Sequence, residues 1–361
     1  MKVFLIHTLN AGTAWYRINE HAIALSKIDG VEVRLNYYDP TNLMGAWWEP
    51  QLITKELLDQ FLYQFETWGP DIIVAQKFMC AEGLAFFEAC KDFFPMLTEI
   101  DDDFINVPCW NPAFSPMANG HYIASLQLQK STALICSTPH LLNLMNGLYN
   151  PKGYCIPNGI DIEFWDALSD PEPHQGIRIG WAGATRHRED IEILLDVIPE
   201  VNKRHSNIQW AFMGGCAGLP EQLLKLDNIL LFKEWWPTNE YPKALKMKGF
   251  DIGLAPLKYH PFNLAKSNLR WLEYTACGIP TVASNIGHFK ETLKNGEDAI
   301  LCDDSEQWIE GLNRLIESES LRKEIGNNAK ESLKRDWDIN KIAIKYADIL
   351  RTEVKLNEKA N

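Results

Sequence analysis

The fold is most evident from residues 252–284, IGLAPLKYHPFNLAKSNLRWLEYTACGIPTVAS. The apolar run Ile252–Ala255 predicts a buried strand, and the amphipathic stretch Ser267–Cys277 predicts a helix. That helix stops at a Gly-Ile-Pro sequence, residues 278–280, and Thr281–Ala283 predicts the next strand. A strand, a helix and a second strand in this order are typical of a parallel sheet covered by helices.

Strand and helix patterns of this kind alternate along nearly the whole chain and form two successive groups. In the first group the predicted helices are Tyr16–Lys27, Thr54–Glu66, Glu82–Phe93 and Pro139–Leu148. We therefore expect an α/β fold with two Rossmann-like, doubly wound parallel-sheet domains that face a cleft. The expected boundaries are 1–163 for the first domain, 164–176 for a polar, proline-containing linker and 177–335 for the second domain. We expect a C-terminal helix in 336–361 to pack back across the domains.

Composition excludes several classes of protein. Hydrophobic residues make up 46% of the 361 residues and charged residues 23%, which excludes disordered, collagen-like and coiled-coil chains. No apolar run approaches the roughly 20 residues of a membrane span. The first residues predict a strand without the cleavage region of a signal peptide, so we expect a soluble, cytoplasmic protein.

Charge and cysteine spacing narrow the choice of partners. The net charge is −13, and residues 1–163 carry 9 Lys and Arg against 18 Asp and Glu. This acidic balance argues against nonspecific binding to nucleic acid.

None of the eight cysteines forms a Cys-x-x-Cys pair, so we expect reduced thiols rather than a disulfide framework or a zinc site.

The first stretch that could carry chemistry surrounds Lys266 and Ser267, at the start of the predicted helix. Free backbone amides and the helix dipole attract phosphate there, and Lys266 adds a positive charge. Glu273 follows two helical turns later, roughly 10 Å along the same face, where its carboxylate could accept hydrogen bonds from the two hydroxyls of a ribose. The same charges are also typical of a solvated helix surface.

A second stretch follows the predicted strand Ile177–Ala182. Gly183 would let the backbone approach a diphosphate, and Arg186 or Arg188 could bind its oxygens in a bidentate manner. His187 lies between these arginines and could equally be a helix-start residue without a ligand. An ordinary strand-to-helix turn would have the same composition.

The first domain offers a loop of small residues and an acidic cluster. The loop, Leu9 to Arg17, follows the first strand but is not a Gly-x-Gly-x-x-Gly fingerprint, which argues against a dehydrogenase. Asp101, Asp102 and Asp103 end a strand, where carboxylates could hold a cation, act as a general base or bind the hydroxyls of a substrate. A purely structural triplet is the alternative.

Three stretches between residues 156 and 301 resemble the GT-B glycosyltransferases, in particular the retaining nucleotide-sugar enzymes of glycosyltransferase family 4, or group 1. They are IPNGID at 156–161, LEYTACGIPTVAS at 272–284 and NGEDAIL at 295–301. The resemblance covers most of residues 150–335, whereas residues 1–150 match mainly in architecture.

The resemblance implies a function for each candidate residue. Glu273 would bind the donor ribose, and Arg186 and Lys266 would neutralise the diphosphate as it leaves. The residues expected to bind the nucleotide sugar are Gly183, Arg186, His187, Lys266, Ser267, Asn268 and Glu273. Those expected to bind the acceptor in the first domain are Gly12, Thr13, Arg17, Asp101 and Asp102. Those expected to be catalytic are Lys266, Arg186, Asp101 and Asp103. The resemblance also implies that the reaction retains the anomeric configuration and needs no metal or other cofactor.

The sequence departs from the family pattern at three points. Ala265 stands where the pattern has a glutamate, eight residues before Glu273, and Lys266-Ser267-Asn268 replaces a common Gly-Phe-Gly. Trp181 occupies the place of an arginine in the first phosphate turn. The identity of the donor sugar, the nucleotide base, the acceptor and the oligomeric state therefore stay open.

The function expected from the sequence is transfer of a hexose or pentose from a nucleotide-diphosphate sugar to the hydroxyl of a glycan or small molecule. Three alternatives remain at this point. They are a sugar-nucleotide epimerase of the same fold, a non-catalytic protein that binds a nucleotide or glycan, and a glycosyltransferase that acts on modified DNA. The acidic first half counts against the last.

Overall fold

The computed structural model describes residues 1–8, 12–35, 55–184 and 187–360. Two six-stranded sheets form its framework, and every pair of neighbouring strands is parallel. The first sheet contains β1 (Lys2–Ile6), β2 (Glu32–Leu35), β3 (Ile72–Gln76), β4 (Met96–Ile100), β5 (Ala133–Cys136) and β6 (Gly153–Cys155). The second contains β7 (Ile177–Gly183), β8 (Ile208–Gly214), β9 (Ile229–Phe232), β10 (Ile252–Ala255), β11 (Thr281–Ser284) and β12 (Ile300–Cys302).

Helices connect and cover these strands. In chain order they are α1 (Gly12–Ala14), α2 (Glu20–Ser26), α3 (Lys55–Trp68), α4 (Ala81–Cys90), α5 (Phe114–Lys130), α6 (Pro139–Leu148), α7 (Ile162–Asp166), α8 (Arg188–Ile191), α9 (Val197–Arg204), α10 (Glu221–Leu224), α11 (Tyr241–Met247), α12 (Pro261–Leu264), α13 (Leu269–Ala276), α14 (Gly287–Thr292), α15 (Ser305–Glu317), α16 (Glu319–Asp336) and α17 (Ile339–Ala360). A π-helical turn, Trp15–Asn19, joins α1 to α2, and 3-10 turns cover Glu192–Leu195 and Cys216–Gly218.

The strand orders are those of doubly wound sheets. They are β2-β1-β3-β4-β5-β6 in the first sheet and β12-β11-β10-β7-β8-β9 in the second. In each sheet the order reverses beside an early strand, β1 or β7, which is where open parallel sheets bind ligands at their carboxyl edge. The α/β class and the two doubly wound sheets expected from the sequence are confirmed.

The chain divides into two compact units. The first comprises Met1–Asn158 and Ile339–Asn361, and the second comprises Gly159–Asp338. The expected boundary at residue 163 and the expected linker 164–176 therefore lie inside the second unit. Helix α17 belongs to the first unit because its buried residues pack into that unit's core; they are Ile339, Ile342, Ala343, Tyr346, Ala347 and Leu350.

The core of the first unit lies on both faces of its sheet. Val3, Phe4, Leu5 and Ile6 of β1 are all fully buried, as expected for a central parallel strand with helices on both sides. Val3 and Leu5 belong to the cluster that α2 and α17 cover, and Phe4 and Ile6 belong to a second, aromatic cluster. Strand β1 thus separates two hydrophobic layers.

The second unit buries unusually large side chains. Trp181 on β7, Trp210 on β8 and Trp308 on α15 all lie in one cluster and are almost wholly buried. The end of β8 turns at Gly214, whose φ of +87° belongs to the left-handed region. A Cβ there would lie 2.7 Å from the carbonyl oxygen of Gly183, so only glycine lets β7 and β8 end this close together.

In the part of the chain that the structure describes, no helix has the length and hydrophobicity needed to cross a membrane. The eight cysteines are all free thiols.

Candidate functional site

The carboxyl end of β7 forms the centre of the candidate site in the second unit. Arg270 of α13 donates a hydrogen bond from Nε to the carbonyl oxygen of Ala182 at 3.0 Å. Its guanidinium lies over the ring of Trp181, 5.2 Å from the ring centre. A cation from α13 is therefore held beside the position where the family pattern has an arginine and this chain has Trp181.

Gly183 is required here by packing. A Cβ at this residue would lie 2.6 Å from the Trp181 ring and 2.7 Å from Arg270 Nη2. The sequence suggested instead that this glycine lets the backbone approach a diphosphate. The structure shows a different immediate reason for the glycine, which is that Trp181 and Arg270 occupy the space of its missing side chain.

His187 follows β7 and pairs with Asp190. His187 Nδ1 lies 2.8 Å from Asp190 Oδ2. The imidazole also packs edge-on against Trp181, with 6.2 Å between ring centres. Burial lowers the pKa of His187 to about 4, and the charges of Arg270 and Lys266 act in the same direction. His187 is therefore neutral at physiological pH and lies close to both cations.

Asp190 is anchored from three sides. Its Oδ1 accepts hydrogen bonds from the backbone nitrogen of Lys258 and from Asn263 Nδ2, both at 2.8 Å. Burial alone would raise the pKa of Asp190, but the hydrogen bond with His187, its charge and the Lys258 amide together lower the pKa. This carboxylate ties α8 to the segment between β10 and α12.

Lys266 lies between α12 and α13, with its Nζ 4.5 Å from the ring centre of Phe262. The sequence placed it at the start of a helix from Ser267, but α13 begins at Leu269 after Asn268. The difference arises because a separate short helix, α12, ends at Leu264 and the chain turns before α13 starts. Glu273 is therefore not simply two turns along one helix from Lys266.

Glu273 lies on α13 and is 7% exposed. Its Oε2 accepts a hydrogen bond from the hydroxyl of Tyr241 at 3.3 Å. Burial raises the pKa of Tyr241 well above its usual value, and the carboxylate of Glu273 adds to this effect. The neighbouring Tyr274 fixes the helix to the sheet, because its hydroxyl accepts from the Ala182 amide and donates to the Leu254 carbonyl.

The other expected donor-binding residues differ in exposure. Ser267 is half-buried, whereas Asn268 is fully buried and donates from Nδ2 to Thr292 Oγ1 at 3.4 Å. Ala265, which replaces the family's glutamate, is fully buried as well. Arg186 lies outside the described residues. The donor-binding roles of Ser267, Asn268 and Arg186 stay predictions.

In the first unit, Arg17 is a buried structural residue rather than a surface one. The side chain is 1% exposed, and its Nε donates to Glu99 Oε1 at 2.6 Å. Nη1 donates to Asn158 Oδ1 at 3.0 Å. Burial would lower the pKa of Arg17, but the charges of Glu99 and Asp101 and the hydrogen bond with Glu99 together outweigh this effect and raise the pKa. The geometry gives no support to direct contact between Arg17 and an acceptor, because Glu99 and Asn158 bind its guanidinium inside the unit.

Asp103 also forms a local structure. One carboxylate oxygen accepts from the backbone nitrogens of Ile105 and Asn106 at 3.0 and 3.1 Å, and the other accepts from Asn106 Nδ2 at 2.7 Å. An aspartate that binds the amides two and three residues ahead closes a turn. The structure therefore assigns Asp103 to the turn after β4, and it does not support the predicted catalytic role.

The remaining acceptor candidates lie at the ends of β1 and β4. Asp101 and Asp102 are half-buried, and Gly12 and Thr13 open α1 with partial exposure. Burial raises the pKa of Asp101 to about 7, with further contributions from Asp102 and Glu99. A carboxyl group that titrates near neutral pH can accept or donate a hydrogen bond with a hydroxyl group.

Two residues of the second-unit site were not predicted. Arg270 stands within the quoted motif, but on sequence alone it is one of several charges on an amphipathic helix. Asp190 follows His187 by three residues, a spacing that lets a helix-start histidine meet a carboxylate. Among the residues that the structure describes, no group of three or more His, Cys, Asp or Glu side chains is placed to hold a metal ion.

Comparison with known proteins gives a family match for the second unit. Residues 176–318 match the family model described as "Glycosyl transferases group 1". The second unit resembles this family. The match contains β7, His187, Lys266 and Glu273, and it confirms the resemblance seen in the sequence.

The similar proteins support the same fold. The phosphatidyl-myo-inositol mannosyltransferase of Mycobacterium leprae is 27% identical over 196 residues, which are 51% of this chain and 50% of that protein. The chain spans about half the length of the curated relatives that it matches. Among solved structures, sucrose-phosphate synthase from Thermosynechococcus elongatus has a TM-score of 0.71 at 16% identity, with 98% of each chain covered.

Anabaena HepE, solved in complex with UDP-glucose, has a TM-score of 0.64 at 16% identity and covers 98% of this chain and 100% of its own. At such identities the likeness shows the fold alone. The fold is GT-B, as expected from the sequence.

Proposed function

We propose that this protein is a glycosyltransferase that moves a sugar from a nucleotide-diphosphate sugar to an acceptor hydroxyl, with retention of configuration. The observation that carries the proposal is the cation pair Lys266 and Arg270 beside the carboxyl end of β7, inside the matched region, with Glu273 on the same helix as Arg270. HepE, which shares the fold, was solved with UDP-glucose, and this supports a nucleotide sugar as the donor class.

The proposed donor geometry follows from charge. Lys266 and Arg270 bind the diphosphate and stabilise the negative charge that develops as it leaves. Glu273 accepts hydrogen bonds from the ribose hydroxyls, with Tyr241 orienting its carboxylate. Arg186 would add a further cation.

The acceptor is proposed to bind the first unit. Asp101, Asp102 and the Gly12–Thr13 segment orient its hydroxyl group. That hydroxyl attacks the anomeric carbon from the face that the diphosphate leaves, and a departing phosphate oxygen takes its proton. The bond to the diphosphate breaks and the new glycosidic bond forms on the same face, so configuration is retained.

A product assay tests this function. UDP-glucose, GDP-mannose and ADP-glucose are incubated with a panel of glycan and small-molecule hydroxyl acceptors. Mass spectrometry detects an acceptor heavier by one sugar, chromatography detects equal release of nucleoside diphosphate, and NMR coupling constants give the anomeric configuration. Lys266→Ala should abolish most of this turnover, whereas Lys225→Ala, which changes an exposed lysine directly after α10, should not.

Other products would contradict the proposal and identify the alternatives. An isomerised nucleotide sugar without nucleoside diphosphate would indicate an epimerase. Saturable binding without any product would indicate a non-catalytic binding protein, and transfer confined to DNA carrying hydroxylated bases would indicate a DNA-modifying enzyme. An inverted product would overturn retention while leaving the transfer reaction intact.

A further inference from the structure

The pair His187 and Asp190 has hydrogen-bond directions that its neighbours determine. Asp190 Oδ1 accepts from two groups that can only donate in this arrangement, the Lys258 backbone amide and Asn263 Nδ2, both at 2.8 Å. The second oxygen, Oδ2, lies 2.8 Å from His187 Nδ1. Both residues are well enclosed, with side-chain exposures of 17% for His187 and 7% for Asp190.

These contacts determine where the imidazole proton lies. The lowered pKa of Asp190 makes it a carboxylate, which can only accept hydrogen bonds, so His187 Nδ1 carries the proton and donates it. Burial and the nearby cations lower the pKa of His187 to about 4, so the ring has no second proton at neutral pH. His187 Nε2 is therefore left with an unprotonated lone pair.

An unprotonated Nε2 can accept a hydrogen bond but cannot donate one. Diphosphate oxygens are acceptors only, and they would meet the lone pair of Nε2 without a hydrogen between them. A hydroxyl group can donate to Nε2. The two cations that attract a diphosphate, Lys266 and Arg270, are separate from this acceptor atom but close enough to lower the pKa of its ring.

We propose that His187 Nε2 accepts a hydrogen bond from a hydroxyl of the transferred sugar, and that Asp190 is the positioning residue that maintains this tautomer. The inference rests on the proposed function and deepens it. Glu273 is assigned to the ribose, and a diphosphate joins the ribose to the sugar. A donor with its ribose at Glu273 and its diphosphate at Lys266 and Arg270 carries its sugar at the far end of the diphosphate. His187 is the hydrogen-bond acceptor beside these cations.

The first test measures the tautomer without any ligand. Long-range 1H–15N NMR of histidine-labelled protein, assigned with His187→Gln, should show a neutral ring protonated at Nδ1 at pH 7. In Asp190→Asn the side-chain oxygen of the new asparagine must still accept from Lys258 and Asn263, so its NH2 group faces His187 Nδ1. Because this NH2 group donates to Nδ1, the imidazole proton of His187 moves to Nε2. Glu189→Gln, the matched charge change on α8, should leave the spectrum of His187 unchanged. A wild-type ring protonated at Nε2, or doubly protonated, would overturn the proposal.

The second test locates the contact on the ligand. Calorimetry compares UDP, UDP-glucose and its deoxyfluoro analogues, since fluorine can accept a hydrogen bond but cannot donate one. One analogue should bind wild type about fivefold more weakly than UDP-glucose, because about fivefold in affinity is the expected effect of losing one hydrogen bond. This loss of affinity should vanish in His187→Ala, which lacks the imidazole. It should also vanish in Asp190→Asn, because there His187 Nε2 carries a hydrogen that can be donated to fluorine. The affinity for UDP should stay the same in both variants.

Two results separate the possible failures. If UDP-glucose binds but every analogue binds equally well, or if UDP weakens as much as UDP-glucose in His187→Ala, the sugar contact is wrong and the proposed function stands. If no UDP-, GDP-, ADP-, CDP- or dTDP-sugar binds wild type, the proposed function fails and the sugar contact fails with it, whatever tautomer the NMR spectrum shows.

Discussion

The two sheets carry charged residues at the same position, the carboxyl end of their strands, and use them differently. In the first unit Arg17 and Glu99 are each 1% exposed and bind one another. In the second unit Lys266 and Arg270 are half-buried around β7. A charge cluster at a strand end can therefore be part of the core or part of a site, and these two clusters differ in the burial of their cations.

The largest expected effect is on the first unit. Arg17→Ala should lower the free energy of unfolding by about 3–5 kcal/mol, because it leaves the Glu99 carboxylate buried without its cation. Urea denaturation measures this. Arg351→Ala, which removes an exposed pair with Asp348, should cost no more than about 1 kcal/mol. A small loss for Arg17→Ala would show that the buried pair does not stabilise the unit.

The second expected effect is on catalysis in the second unit. Lys266→Ala should lower kcat about 10²-fold or more, since it removes a charge that stabilises the leaving diphosphate, while the unfolding midpoint changes little. Steady-state kinetics and a thermal melt check both parts. An unchanged kcat would show that Lys266 has no role in the mechanism. Loss of the folded state would show that Lys266, like Arg17, acts in stability.

A smaller effect is expected at Asp103. Asp103→Ala should cost about 1–2 kcal/mol of stability because three hydrogen bonds of its turn are lost, with little change in kcat of the folded enzyme. Asp103→Asn, which keeps an oxygen for the two backbone amides, should restore part of this stability. A kcat loss far beyond the loss of folded protein would return Asp103 to the catalytic group.

A further expected effect is a pH dependence at Asp101. Its pKa in the folded protein is about 7, above the usual aspartate value, because burial and neighbouring carboxylates disfavour the charged form. Between about pH 4 and pH 7 the folded protein holds a proton that the unfolded chain has lost, so this residue lowers stability as pH rises.

Asp101→Asn removes this titration. The variant should differ less from wild type at pH 5 than at pH 8, where it should be the more stable protein, as measured by thermal unfolding at both pH values. Asp59→Asn on α3 serves as the control and should give no such difference. Equal stability of Asp101→Asn and wild type at pH 8 would contradict the assignment.

Local sequence signals predicted much of the fold. Helix α6 matches its predicted range, Pro139–Leu148, because Thr138 caps it and proline occupies its first position. Helix α5 was not predicted, since Pro116 and Gly120 argue against a helix. Pro116 lies in the first turn, where no amide is needed, and a Cβ on Gly120 would lie 2.5 Å from Met79 Cε. Only the folded structure shows that contact.

The candidate site was less predictable than the fold. Glu99 is 82 residues from Arg17, so no local pattern shows that the arginine is buried. The turn at Asp103 did have a local signal, because its partners are two and three residues ahead, but the acidic triplet favoured a binding interpretation. Arg270 reaches Trp181 only because α13 packs against β10 and β11, and β10 is the neighbour of β7 in the sheet. Residue type and spacing predicted which segments meet, and tertiary packing decided which side chains are exposed.

The central claim is that the second unit binds the nucleotide of a sugar donor through Glu273. A thermal-shift screen with UDP, GDP, ADP, CDP and dTDP, each with and without EDTA, tests it most directly. One nucleotide at about 100 times its Kd should add about 2.7 kcal/mol of stability, with or without EDTA. The shift should disappear in Glu273→Ala and persist in Glu221→Ala, an exposed glutamate of the same unit. No response to any nucleotide, or a shift that survives Glu273→Ala, would contradict the claim.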